Sequence, residues 1–121
     1  MFEYFRAAGL YGRAYRQYNS GKHDEAIAGV MKAASLLDRR KGSDTHPGGM
    51  SLWVMLSYLM GHVDPTGKFA SKELPILYRA LGLVEGSSLD LRKAKPFSEW
   101  EPWARQRLRF LESLVNVQTG R

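Results

Sequence analysis

The chain's 121 residues suffice for one domain with a single core; 44% are hydrophobic and none is cysteine, which excludes a disulfide scaffold, thiol catalysis and thiolate metal sites. Lys and Arg outnumber Asp and Glu by 18 to 12, a net charge of +6 with a pI near 9.8, and this bias favours acidic partners through long-range attraction. The most apolar run, Leu52 to Met60, is far shorter than the roughly 20 residues of a membrane span, and Met1 to Ala14 is interrupted by Glu3, Arg6 and Arg13 where a secretory signal needs a continuous apolar core. The expectation is a cytoplasmic protein with no membrane partner.

At 100° per residue, Tyr4, Tyr11, Tyr15 and Tyr18 fall within about 40° of one line, with Ala8 alongside, while Arg6, Arg13 and Arg16 lie on the other side. This predicts a first helix with an aromatic stripe packed inward and a guanidinium face in water. After Gly21, a second pattern puts Ala26, Ile27, Val30, Ala33, Ala34 and Leu37 on one stripe. Its alanines allow a close helix-helix approach. Asp24 and Glu25 fall in its first turn, where the helix dipole favours negative charge.

The joint Gly21-Lys22-His23-Asp24-Glu25-Ala26-Ile27 resembles that of a tetratricopeptide repeat, with Gly21, Asp24, Glu25, Ala26 and Ile27 as the matching residues. The family's second-helix small and aromatic positions fall on Ala26, Val30 and Ala33. Its closing proline falls on Asp38, its leucine-glycine pair on Arg13 and Ala14, and its first-helix aromatic on Gln17, which depart from the pattern. About 34 residues further on, Met55 and Met60 stand where a second copy would repeat Gly21 and Ala26. The resemblance therefore implies a single antiparallel hairpin over Tyr11 to Asp38 inside a small bundle.

Arg39 to Gly49 reads as a loop, and Ser51 as the cap of a helix that is apolar nearly all round and hence central. A turn over Gly61 to Ala70 precedes a helix capped by Ser71, carrying Leu74, Leu77, Tyr78 and Leu81 and ended by Gly82, with Pro75 in its first turn. Ser88 to Lys95 is compatible with one or two helical turns. Ser98-x-x-Glu101 matches a capping box beside Pro102, and Trp100, Ala104, Leu108, Leu111, Leu114 and Val115 form the stripe of a last helix, widened by Trp103 and Phe110. The fold expectation is all-α: a five-helix bundle over residues 1–117 containing the tetratricopeptide-like hairpin, with a flexible tail at 118–121.

His46-Pro47-Gly48-Gly49 resembles the tetrapeptide at a haem-ligating histidine of cytochrome b5-like proteins, but no strand pattern accompanies it. His23, His46 and His62 lie near Asp24, Asp44 and Asp64 without metal-ligand spacing, and Ser51, Ser71 and Ser98 precede helices as caps do. No catalytic residue, cofactor or metal is expected. The candidate partner-binding residues are the basic cluster Arg39, Arg40 and Lys41, and Trp100, Trp103 and Arg107, which share a sector of the last helix. The reading is a non-enzymatic helical module whose basic faces or exposed loops bind an acidic surface of another protein. Proteins of this kind look similar to small bacterial immunity or antitoxin proteins, which implies a toxin domain as partner. A nucleic-acid-associated protein is the alternative, weakened by the inward placement of the tyrosines away from the arginines, and an enzyme built on the histidines is the third.

Overall fold

In a computed structural model describing residues 2–39, 47–86 and 97–118, the chain forms helices α1 (Phe2–Asn19), α2 (His23–Arg39), α3 (Pro47–Val63), α4 (Ala70–Glu85) and α5 (Phe97–Gln118). The fold is an all-α bundle of five helices, with no strand among the described residues. No helix among them is long and apolar enough to cross a membrane. The proposed turns within Ser88 to Lys95 and residues 119–121 of the expected tail lie outside the described residues, and Gln118, placed in that tail, is the last residue of α5.

The α1–α2 hairpin closes where the sequence places it. Gly21 takes φ of 78°, a left-handed conformation that glycine adopts without steric cost. The Gly21 and Lys22 amides donate to Tyr18 and Gln17 carbonyls at 3.0 and 2.8 Å, satisfying groups that the end of α1 would otherwise leave open.

The inward face of α1 differs from the expected tyrosine stripe. Ala7 and Ala14 are fully buried, whereas Tyr15 is 48% exposed. The buried line is thus rotated by roughly 70° from Tyr4 toward the alanines. The cause is steric: a Cβ on Gly29 would lie 3.2 Å from Ala14 Cβ, so the two helices meet through their smallest residues and the tyrosine rings are pushed to the flank. On α2 the expected stripe holds, with Ala26, Val30, Ala33 and Leu37 fully buried.

Helix α3 packs against each of the other four helices, as its apolar circumference requires. It begins at Pro47, so Ser51 lies inside the helix and is not its cap. Ser71 is likewise inside α4, whose N-cap, Phe69, makes no side-chain cap bond. Asp64 holds the turn ahead of the helix, its carboxylate accepting from the Lys68 and Phe69 amides at 3.1 and 2.8 Å. Helix α4 also runs through Gly82 to Glu85. Helix α5 starts at Phe97, one residue ahead of the expected capping box, and Glu101 bonds Arg105 at 2.9 Å.

A charged pair is built into this core. Glu73 of α4 is fully buried and meets Arg107 of α5, whose Nε and Nη2 donate to the two carboxylate oxygens at 2.8 Å each. Arg107 also donates to the Pro65 and Asp64 carbonyls at 2.9 and 2.7 Å. One guanidinium thereby ties α4, α5 and the turn after α3 together. Burial raises the Glu73 carboxyl above its ordinary range, the hydrogen bonds and charge of Arg107 pull it down, and Asp64 adds to the rise. Gly67, with φ of 73°, lies where a Cβ would come 2.5 Å from Leu114 Cδ1, so glycine is required there twice over.

Candidate functional site

The residues expected to form a surface patch on α5 are mostly turned inward. Trp100 is 3% exposed, and its Nε1 donates to Ser57 Oγ at 3.0 Å, while Ser57 Oγ donates to the Val54 carbonyl at 2.7 Å. Arg107 is spent on Glu73 and the turn carbonyls. Trp103 and Arg107 keep partial exposure. The three residues share a sector as the spacing implies, but that sector faces α3: a Cβ on Gly61 would lie 2.5 Å from Trp103 Cζ2 and 3.4 Å from Arg107 Nε. Glycine at this one position lets α5 approach α3 so closely that Trp103 and Arg107 pack against it. In the other candidate cluster, Arg39 is exposed at the end of α2, and Arg40 and Lys41 lie outside the described residues.

What the fold does present is an aromatic groove of about 370 Å³ between α1 and α5, with α3 as its floor. Tyr11 and Tyr15 form the α1 wall, their ring centroids 6.3 Å apart. Val54, Met55 and Tyr58 rise from α3, and Glu99 with the buried Trp100 closes the α5 side. Tyr15, Tyr58 and Met55 are 48%, 46% and 38% exposed, large apolar bodies left in water beside one another. The Tyr11 phenol is pushed above its ordinary value, first by burial and then by Tyr15 beside it.

The aromatic surface continues beyond the groove. Tyr58 lies 4.8 Å edge-on from Trp103 and 4.4 Å from His62, and His62 stacks on Trp103 at 5.8 Å. The His62 ring is held by a 2.8 Å hydrogen bond between Nδ1 and the Tyr58 carbonyl. Exposed Arg6, Arg13 and Arg16 project from α1 roughly 100–180° around the helix from Tyr15. Comparison with known families, curated proteins and solved structures gives no match to this chain.

The two described histidines lie in separate surroundings. His23 is exposed at the start of α2 beside Tyr18, with centroids 5.5 Å apart, His62 sits in the aromatic surface, and His46 lies outside the described residues. Among the described residues no group of three His, Cys, Asp or Glu could hold a metal ion. Helix periodicity missed Tyr15, Met55 and Tyr58 because it assigned them to core stripes. The available signal was the phenol oxygen of Tyr15 and Tyr58, which a wholly buried stripe would have had to satisfy.

Proposed function

We propose that this chain is a non-enzymatic helical interaction protein, built on a tetratricopeptide-like hairpin, that docks an acidic partner protein across α1 and the adjoining aromatic groove. The observation that carries this reading is the exposure of Tyr15, Met55 and Tyr58 together around one groove, since exposed aromatic and methionine clusters mark interaction surfaces. Arg6, Arg13 and Arg16 on the outer face of α1, and the net charge of +6, supply the complement to an acidic partner. An apolar helix face fits a groove walled by two helices. Within this reading, the role we favour is that of an immunity protein occluding a toxin domain.

The test is capture from the native cell with the wild-type chain and with a Tyr15→Ser/Met55→Ser/Tyr58→Ser variant as baits. A partner held by the wild type and lost by the variant, and toxic to a host unless this chain is co-expressed, is the expected result. Equal recovery on both baits overturns the docking site, and a harmless partner overturns the immunity role.

A second reading is supported by a correction to the expected helix face. Phe5 and Tyr15 are 64% and 48% exposed on the same helix as the three arginines, so two of its aromatics stand in water, whereas Tyr11 and Tyr18 pack against the core. Single-stranded nucleic acid binds such stacking and cationic surfaces. A labelled oligonucleotide should then bind at low salt and dissociate steeply as salt rises; no binding at low salt removes this reading.

A further inference from the structure

Helix α3 borders a second cleft, of about 500 Å³, between α2 and α4. Trp53, which lines it, and Tyr58 of the aromatic groove project roughly 140° apart around α3, so the two hollows lie on different sides of one helix. Met31, Ala34, Pro75 and Ile76 make the walls apolar. The polar lining is rich in hydrogen-bond donors: the Lys72 ammonium, the Arg79 guanidinium and the Ser35 and Ser71 hydroxyls. The one carboxylate lining it, Asp38, is paired with Arg79 at 2.6 Å.

One donor here is anomalous. Trp53 is 3% exposed, and its Nε1 is buried with no hydrogen-bond acceptor, a state that native interiors rarely leave standing. The Arg79 guanidinium lies 5.0 Å from the same indole ring. Met31 and Lys72 are shared with an adjoining hollow of about 530 Å³ that adds Lys68, Phe69 and Asp24. The ammonium groups of Lys68 and Lys72 stand 5.6 and 5.9 Å from the Phe69 ring, and neither takes an ion pair among the described residues. Asp24 is in the first turn of α2, where the helix dipole already compensates it. The cleft thus joins apolar walls to clustered cations and a buried donor that lacks an acceptor, at a size typical of small-molecule sites.

We propose that the α2–α3–α4 cleft binds an amphipathic organic anion, its apolar body against Met31 and Ile76 and its carboxylate or phosphate head among Lys72, Arg79 and the Trp53 indole N–H. A neutral ligand of the same shape leaves the ammonium without a counter-charge, and a cationic one is repelled. The site is independent of protein docking at the aromatic groove.

The test follows the Trp53 indole N–H signal in proton–nitrogen spectra of the full chain, assigned by its loss in Trp53→Phe, with decanoate, decyl phosphate and decanol as probes. The two anions should move that signal saturably, and decanol should bind about tenfold more weakly or not at all. Lys72→Gln, an exposed position, should weaken the anions about three- to tenfold, and Ala34→Trp should fill the cleft and abolish binding. Decanoate alone, or decyl phosphate alone, moving the signal identifies the head group. Equal binding of decanol overturns the anion assignment, and a Trp53 signal unmoved by all three overturns the site.

Discussion

Arg107 and Glu73 meet in a two-point ion pair, both contacts 2.8 Å, in which the carboxylate is wholly enclosed and the guanidinium side chain is 9% exposed. Removing one partner strands a charge in the core. Arg107→Leu should therefore lower unfolding free energy by about 3–5 kcal/mol. The double variant Arg107→Leu/Glu73→Leu should regain most of that loss, because a buried pair is often replaceable by apolar side chains. Urea unfolding of the three proteins measures both effects; a single variant within about 1 kcal/mol of wild type would mean that the pair is solvated.

The same pair gives a pH dependence of known sign. The raised Glu73 carboxyl binds its proton more tightly in the folded than in the unfolded chain, so its contribution to stability falls as pH rises from the unfolded carboxyl value through the folded one. Arg107 limits that fall. In Arg107→Leu its lowering influence is gone, burial acts almost alone, and the window of decline extends to higher pH. The deficit of Arg107→Leu relative to wild type should grow as pH rises above the ordinary carboxyl range. Glu73→Gln/Arg107→Leu, which has no carboxyl there, should show no such growth. A deficit independent of pH would show that Glu73 does not titrate in this range.

The glycines separate close approach from mere tolerance. A Cβ at Gly61 would lie 2.5 and 2.6 Å from Trp103 ring atoms, so Gly61→Ala must displace the ring and should cost about 1–3 kcal/mol. At Gly9 and Gly82, inside α1 and α4, an added Cβ meets nothing within 4 Å. Alanine there should stabilise by about 0.5–1 kcal/mol, through helix propensity and a less flexible unfolded chain. Thermal unfolding decides it: destabilisation by Gly61→Ala with gains at the other two supports the packing of α5 on α3.

These contrasts also explain what the sequence could and could not convey. The aliphatic positions of α2, α3 and α4 are legible because large aliphatic residues recur there at helical spacing, and Leu37, Leu56 and Leu77 are all fully buried, whereas Tyr78, placed on the α4 stripe, is 49% exposed. The inward face of α1 was not, because helical spacing weights large rings and the actual contact is Ala14 against Gly29. The expected cap differs for a related reason: the first amides of α4 donate to the Gly67 and Phe69 carbonyls of the preceding turn, not to the serine beside the stripe. The patch on α5 failed because periodicity gives a residue's sector but not which neighbour occupies it. Glu73, one acidic residue in a helix's first turn, carried no local sign that its partner stands 34 residues away.

The aromatic groove and the tryptophan beneath it should part company under mutation. Trp100 is buried and bonded to Ser57 at 3.0 Å, so Trp100→Phe should act on stability, costing about 1–3 kcal/mol from the lost hydrogen bond and volume. Tyr15 and Tyr58 are about half exposed, at 48% and 46%. Their replacement by serine should change stability by about 1 kcal/mol or less, yet each should weaken a groove-bound partner about tenfold or more, as truncating an aromatic anchor does. Urea unfolding and binding titrations on the same preparations separate the two effects. If Tyr58→Ser destabilises as much as Trp100→Phe while binding stays unchanged, the ring belongs to the core and the groove is not the docking face.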